Sequence, residues 1–273
     1  MKKLLILVLI LLAGGVAYAK RAEIKDWMAE SQKPDVEEVS FEDVTDDADD
    51  AADEPVDVIA EEPAEPDPTP ADTTTNNPSP STTLPATFNL AVPFTSQAPK
   101  SNWDEVHQET CEEASVLMAS YYFAGKSAGK IDPDEADAAL LQIVDFENSW
   151  FGFYKDTTAE QTGILLEAMF NLNYDLIENP TVEQIKQVIV DGYPVIVPAA
   201  GRQLGNPNFT GAGPLYHMFV IKGYTADGFI VNDPGTRLGA DYFYTFDVVM
   251  NAMHDWNGGD VENGAKIVIV VKP

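Results

Sequence analysis

The stretch YHMFVIKGYTADGFIVNDPG, residues 216–235, contains two apolar runs separated by a short polar connection. The runs 216–224 and 228–232 are rich in aromatic and β-branched residues, which favour β-strands. Residues 223–228 contain the Gly and Asp typical of a tight hairpin connection. We therefore predict two adjacent antiparallel strands, with His217 and Asp233 at the same end of the sheet.

Helical and strand patterns are separated along the rest of the chain. Apolar residues recur every three or four positions in four segments, which predicts helices over 111–123, 133–144, 158–171 and 182–190. Further β-branched or aromatic runs predict strands over 194–199, 242–245 and 266–271, with a helix over 246–253. Helices followed by a mainly antiparallel sheet are typical of an α+β domain.

The N-terminus has the pattern of an export signal. Lys2 and Lys3 precede an apolar run that ends in Ala17-Tyr18-Ala19, as at a cleavage site. We predict that residues 1–19 are a signal peptide and that the protein is extracytoplasmic. The alternative is an uncleaved anchor that holds the protein at the membrane, although 16 helical residues reach only about 24 Å. In either case we expect membrane contact only through this segment.

Residues 20–86 are acidic and rich in Pro and Thr. Between positions 35 and 72 there are 17 Asp and Glu residues and no Lys or Arg. Such a composition buries too little apolar surface to offset its ordering entropy, so we predict a disordered linker before a domain over 87–273. That domain carries a net charge of −15. Repulsion from a polyanion argues against nucleic acid as a partner.

Cys111 is the only cysteine, which excludes an internal disulfide and a multi-thiolate zinc site. We predict a capping box formed by Thr110 and Glu113, which places Cys111 on the first residue of a helix. The helix start would favour a thiolate, whereas Glu112 would oppose ionisation and require a cationic partner. We interpret Cys111 as a nucleophile, and the alternative is a small buried apolar residue. We predict no metal and no cofactor.

Three histidines could supply the cationic partner. We interpret His107 as part of a surface loop and His254 as a cation at a helix end. His217 begins an apolar strand after the glycine-rich loop 201–214, so it is the candidate base. Asp233 could accept a hydrogen bond from its ring and orient it. The alternative for Asp233 is an ordinary Asn-Asp-Pro-Gly turn.

Five segments occur in the order found in a known family: VPFTSQ at 92–97, CEEAS at 111–115, GYPVIV at 192–197, HMFVIKG at 217–223 and NDPG at 232–235. The chain from 88 to 273 resembles the papain-fold cysteine peptidases of the family-thirty-nine-like group, which are related to bacteriocin leader peptidases. The resemblance implies a papain-like cysteine proteinase fold, with N-terminal helices packed on a mainly antiparallel sheet. It also implies a peptide or protein substrate.

The same resemblance implies a role for each candidate residue. Cys111 would be the nucleophile, His217 the base, Asp233 the residue that orients the base, and Gln97 the side-chain donor of the oxyanion hole. An oxyanion hole needs an amide donor aimed at the developing negative charge. Gln108, which lies nearer to the cysteine in sequence, is the alternative donor.

We therefore expect an exported cysteine peptidase that hydrolyses peptide bonds through an acyl-thioenzyme. One alternative is an amidase or acyltransferase on the same triad, because a shared site does not fix the acceptor of the acyl group. The other alternative is a noncatalytic binding module of the cell envelope. In that module Cys111 would be a structural cysteine, buried and inert towards electrophiles.

Overall fold

The structure, a computed structural model, describes residues 21–50 and 84–273. The predicted signal segment and residues 51–83 of the predicted linker lie outside these ranges, so those predictions stay untested. Within the described ranges, no helix combines the length and the apolar character that crossing a bilayer requires.

The described residues form helices and strands in the following order along the chain: α1 (Arg21–Glu30), α2 (Phe41–Asp50), β1 (Phe88–Asn89), α3 (Cys111–Phe123), α4 (Pro133–Trp150), α5 (Ala159–Phe170), β2 (Asn173–Glu178), α6 (Val182–Val190), β3 (Val195–Ala200), β4 (Tyr216–Tyr224), β5 (Gly228–Asn232), β6 (Tyr242–Thr245), α7 (Phe246–Ala252) and β7 (Ile267–Lys272). Short 3-10 turns occupy Gly201–Leu204 and Val261–Asn263.

The strands form one sheet in the order β2-β7-β3-β4-β5-β6, and β1 also pairs with β4. Every pairing between these strands is antiparallel. Strands β3, β4 and β5 are buried at every residue, so the sheet is covered on both faces at its centre. Helix α3 packs on β4, and α5 packs on β2 and β7. The predicted α+β class, with helices packed on a mainly antiparallel sheet, is confirmed.

Local sequence explains most helix starts. Thr158 caps α5 and Thr181 caps α6, each in a capping box with a glutamine three residues later. Asp132 caps α4, which continues to Trp150, beyond the predicted end at residue 144. Strand β2 was not predicted. It lies at the edge of the sheet with only two partly buried side chains, so its apolar pattern is weak.

Residues 21–50, which belong to the predicted linker, contain two helices in the structure and contact the domain. Val39 pairs with Leu90 in a short parallel bridge. Lys222 of β4 is 1% exposed and forms ion pairs with Glu38 and, at 2.6 Å, with Asp241. Because a buried ammonium group needs carboxylate partners, Glu38 ties this segment to the central strand.

Aromatic packing adds to the attachment of the N-terminal segment. The Phe41 ring contacts the rings of Tyr122 and Phe123 at the end of α3, with centroids 5.9 and 4.9 Å apart. Helix α1 is attached through an ion pair of 2.7 Å between Asp26 and Arg237. The segment is acidic overall, but these apolar and charged side chains bind it to the domain.

Candidate active site

Cys111 is the first residue of α3, as predicted, and is 6% exposed. The predicted capping box is absent. The hydroxyl of Thr110 does not cap the helix and instead donates to the carbonyl oxygen of Gln97 at 3.0 Å. Glu113 is buried, and its carboxyl oxygens have no hydrogen-bond partner among the described residues. Thr110 therefore joins the start of α3 to the segment that carries Gln97.

The Cys111 thiol lies against a carboxyl group. Its Sγ atom is 3.0 Å from Oε2 of Glu112. Burial raises the pKa of the thiol well above its usual range, Glu112 adds to the increase, and the backbone amide of Met218 opposes it. Burial and the neighbouring Glu113 also raise the pKa of Glu112 well above its usual range. The preference for a thiolate that the helix start predicts is therefore outweighed by desolvation in this arrangement.

His217 and Asp233 lie at the same end of the predicted hairpin, where Val220 of β4 faces Asn232 of β5. Both side chains are fully buried, and Nε2 of His217 is 2.7 Å from Oδ1 of Asp233. Burial opposes ionisation of Asp233, but His217 and the hydrogen bonds to the carboxylate outweigh it and lower the pKa of Asp233. Among the described residues, Nδ1 of His217 has no hydrogen-bond partner.

Two further side chains hold Asp233, and sequence reasoning missed both. Tyr244 donates its hydroxyl to Oδ2 of Asp233 at 2.6 Å, and Nδ2 of Asn206 donates to the same oxygen at 3.1 Å. Asn206 also donates to the Tyr244 hydroxyl oxygen at 2.8 Å. Asn206 lies in the glycine-rich loop and Tyr244 on β6, and neither carries a local sequence signal. Together they fix the carboxylate that faces His217.

The His217 ring is confined by close packing on two sides. A Cβ atom added at Gly235 would lie 2.9 Å from Cε1 of the ring, so only glycine fits there without displacement. The Phe209 ring meets the His217 ring edge-on, with centroids 5.3 Å apart. The ring orientation is therefore set by packing as well as by the bond to Asp233.

Cys111 and His217 line one cavity of about 790 Å³. Gln97, Gln108 and Trp103 are also part of its wall. Six further lining residues carry titratable or charged groups: Lys25, Glu109, Glu112, Asp156, Tyr216 and Arg237. A thiol, an imidazole and two amide side chains are thus presented to a single ligand-sized space.

The two candidate oxyanion donors differ in how they are held. Gln97 is 4% exposed, donates from Nε2 to the carbonyl oxygen of His107 at 2.9 Å, and donates its backbone N–H to Pro234 at 2.9 Å. A side-chain amide has two N–H donors, and the other one on Gln97 has no partner among the described residues. Gln108 is exposed, and its Nε2 donates to the carbonyl oxygen of Trp103 at 3.1 Å. Gln97 is therefore the better-ordered donor.

His107 lies in a loop, as predicted, but it is buried instead of exposed at the surface. Its side chain is 4% exposed, with Nδ1 2.8 Å from Asp104 and Nε2 3.1 Å from Asp137. These two carboxylates supply the partners that allow a histidine to be buried. Asp104 lies three residues before His107, and this short spacing is the sequence feature that indicates their pairing. Nδ1 of His254 donates to the carbonyl oxygen of Gly264 at 2.9 Å.

Comparison with known proteins gives one family. Residues 89–258, more than half of the chain, match the model of the Peptidase_C39 like family, and this range includes Cys111, His217 and Asp233. No curated protein matches the chain. A crystal structure described as that of a C39-like peptidase from Bacillus anthracis is 16% identical, and the match covers 68% of this chain and 97% of that chain with a TM-score of 0.43.

Proposed function

The chain belongs to the Peptidase_C39 like family, and we propose that it is a cysteine peptidase that hydrolyses peptide bonds through Cys111, His217 and Asp233. One observation carries this proposal. Cys111 and His217 line the same cavity, while the buried bond between His217 and Asp233 leaves Nδ1 of the imidazole without a partner among the described residues.

Asp233 supports a single tautomer of the base. Its ionised carboxylate can only accept, so Nε2 of His217 donates to it and Nδ1 of the neutral ring is an acceptor. Nδ1 can then take the thiol proton from Cys111, and Asp233 stabilises the imidazolium that forms. Because burial raises the pKa of the thiol, the thiolate needs a proton acceptor and a counter-charge, and His217 supplies both.

The reaction proceeds through an acyl-thioenzyme. The Cys111 sulfur attacks the peptide carbonyl carbon, and the amine leaves with the proton held by Nδ1 of His217. Water then loses a proton to the same nitrogen and attacks the thioester, which releases the acid and restores the thiol. The negative charge on the carbonyl oxygen would be stabilised by the backbone N–H of Cys111 and by Nε2 of Gln97.

We also propose that the peptidase acts outside the cytoplasm, either secreted or held at the membrane by its N-terminal segment. The support is the sequence pattern of Lys2, Lys3 and the apolar run that ends at Ala19. The acidic domain favours a peptide or protein substrate over nucleic acid. Mass determination of the protein recovered from its native host tests the segment, since cleavage after Ala19 removes residues 1–19.

Product analysis of a peptide library tests the activity. Mass spectrometry of the library after incubation with the wild-type protein should show new termini at a restricted set of sequences. The Cys111→Ala protein should produce none of them, and the His254→Ala protein should produce the same set as the wild type. Cleavage of the same bonds by the Cys111→Ala protein would exclude the proposed mechanism.

A further inference from the structure

Glu112 lies directly against the proposed nucleophile. Its Oε2 atom is 3.0 Å from Sγ of Cys111, its side chain is 1% exposed, and it lines the cavity. We propose that Glu112 is a catalytic residue that acts as a neutral carboxylic acid and donates a hydrogen bond to the Cys111 thiolate. This role rests on the proposed function and adds a residue to it.

The surroundings of Glu112 favour the protonated carboxyl. In the described part of the chain it forms no ion pair, and apart from its own backbone N–H its hydrogen-bond partner is the thiol. The titratable side chains that act on it besides Cys111 are acidic or phenolic: Glu113, Glu147, Asp156 and Tyr216. Lys25, Arg237 and His217 line the same cavity, but among the described residues none of them forms an ion pair with Glu112. A carboxylate buried among acidic and phenolic groups has no compensating cation and takes up a proton. The raised pKa of Glu112 agrees with this geometry.

The distance between the two heavy atoms fits a hydrogen bond in either direction, because proton positions are not observed. In the resting site the thiol can donate to a carboxyl oxygen of Glu112. When the thiol proton moves to Nδ1 of His217, the sulfur carries no hydrogen and can only accept. The proton of Glu112 stays on its carboxyl group and is then shared with the thiolate.

The effect of Glu112 on the Cys111 thiolate depends on whether its carboxyl group is ionised. An ionised Glu112 would repel a thiolate, as the sequence alone predicts. A neutral Glu112 stabilises it, because hydrogen bonds to charged acceptors are the stronger ones. An ionised Glu112 adds to the increase in the pKa of Cys111 that burial causes, whereas a neutral Glu112 that donates to the thiolate opposes it.

Two substitutions of similar size separate these roles. Glu112→Gln keeps an N–H donor and cannot ionise, whereas Glu112→Met cannot ionise and has no donor. The readout is the second-order rate of Cys111 alkylation by iodoacetamide near neutral pH, followed by intact mass. We expect the Gln variant to react within about threefold of the wild type and the Met variant about tenfold or more slowly. Glu112→Ala replaces the Met variant if the latter does not fold.

Two results would overturn the role of Glu112. A Met variant that reacts as fast as the wild type would show that no donor is needed. A Gln variant as slow as the Met variant would show that the carboxylate acts as a proton acceptor. Glu105→Gln and Glu105→Met are the matched controls, because the Glu105 side chain is 88% exposed and does not line the cavity. Both controls should react at the wild-type rate.

The same measurement distinguishes a failure of the role of Glu112 from a failure of the proposed function. If Cys111 of the wild-type protein resists iodoacetamide while a denatured sample reacts, the cysteine is structural and the peptidase proposal fails. If the wild-type thiol reacts and both Glu112 variants match it, the peptidase proposal stands and only the role of Glu112 is lost.

Discussion

The hydroxyl of Thr110 donates a 3.0 Å hydrogen bond to the carbonyl oxygen of Gln97. This bond links the residue before the proposed nucleophile to the proposed oxyanion donor. The backbone N–H of Gln97 donates to Pro234, which follows Asp233. Gln97 is therefore positioned by contacts with both the residue that precedes helix α3 and the loop that carries Asp233.

We predict unequal effects from replacing the two glutamines. Gln97→Ala should lower kcat by about a hundredfold with little change in KM, since an oxyanion donor acts mainly in the transition state. Gln108→Ala should lower kcat by less than about threefold, because its amide is exposed and bound to Trp103. Steady-state kinetics on one peptide measure both. A larger loss of kcat in Gln108→Ala would assign the oxyanion role to Gln108.

We predict that His217→Ala slows alkylation of Cys111 by iodoacetamide more than Asp233→Asn does. The first change removes the proton acceptor and the counter-charge of the thiolate. The second keeps a hydrogen-bonding side chain but permits the wrong tautomer. His254→Ala is the control, because His254 does not line the cavity. The triad is misassigned if His254→Ala slows the reaction as much as His217→Ala does.

The hairpin that unites His217 and Asp233 could be predicted because its register is local. Two short apolar runs and one turn determine which strand ends meet. Asn206 and Tyr244 could not be found in this way, because they reach Asp233 from a loop and from a third strand. Side chains that come together only through the complete sheet leave no pattern in a single segment.

The contacts of residues 21–50 with the domain could not be predicted from composition, for a related reason. The many carboxylates of this segment suggest a solvated chain, and one of them, Glu38, is the partner that the buried Lys222 requires. The burial of the Cys111 thiol was not predicted either. The position of Cys111 at a helix start is visible in the sequence, whereas its burial is a property of the assembled fold.

We predict that the N-terminal segment stabilises the domain. Phe41→Ala should lower the free energy of unfolding by about 1–3 kcal/mol, because the ring packs on Tyr122 and Phe123. Deleting residues 51–83 should leave that free energy unchanged, as expected for a linker. Chemical denaturation measures both. An unchanged free energy in Phe41→Ala would show that the observed packing contributes nothing.

We predict that stability falls as the pH rises, because the carboxyl group of Glu147 is buried beside that of Glu113. Burial raises the pKa of Glu147 from 4.5 to about 8. Between these values the folded protein holds a proton that the unfolded chain releases, so the free energy of unfolding decreases with increasing pH. The decrease should begin near pH 4.5 and end near pH 8.

Glu147→Gln removes this titration. The melting temperature of the variant minus that of the wild type should therefore be larger at pH 8 than at pH 5. Glu183→Gln, an exposed substitution on α6, is the control and should follow the wild type at both values. Parallel melting curves for Glu147→Gln and the wild type at both pH values would contradict the predicted titration.

The most direct test of the central claim is the capture of the acyl-thioenzyme on Cys111. Acid quenching during turnover of a cleaved peptide, followed by intact mass and fragment analysis, should show the acyl part of the peptide attached to residue 111. Cys111→Ala should form no adduct and should hydrolyse the peptide no faster than the blank. Hydrolysis at the wild-type rate by Cys111→Ala, or an adduct on any other residue, would contradict Cys111 as the nucleophile.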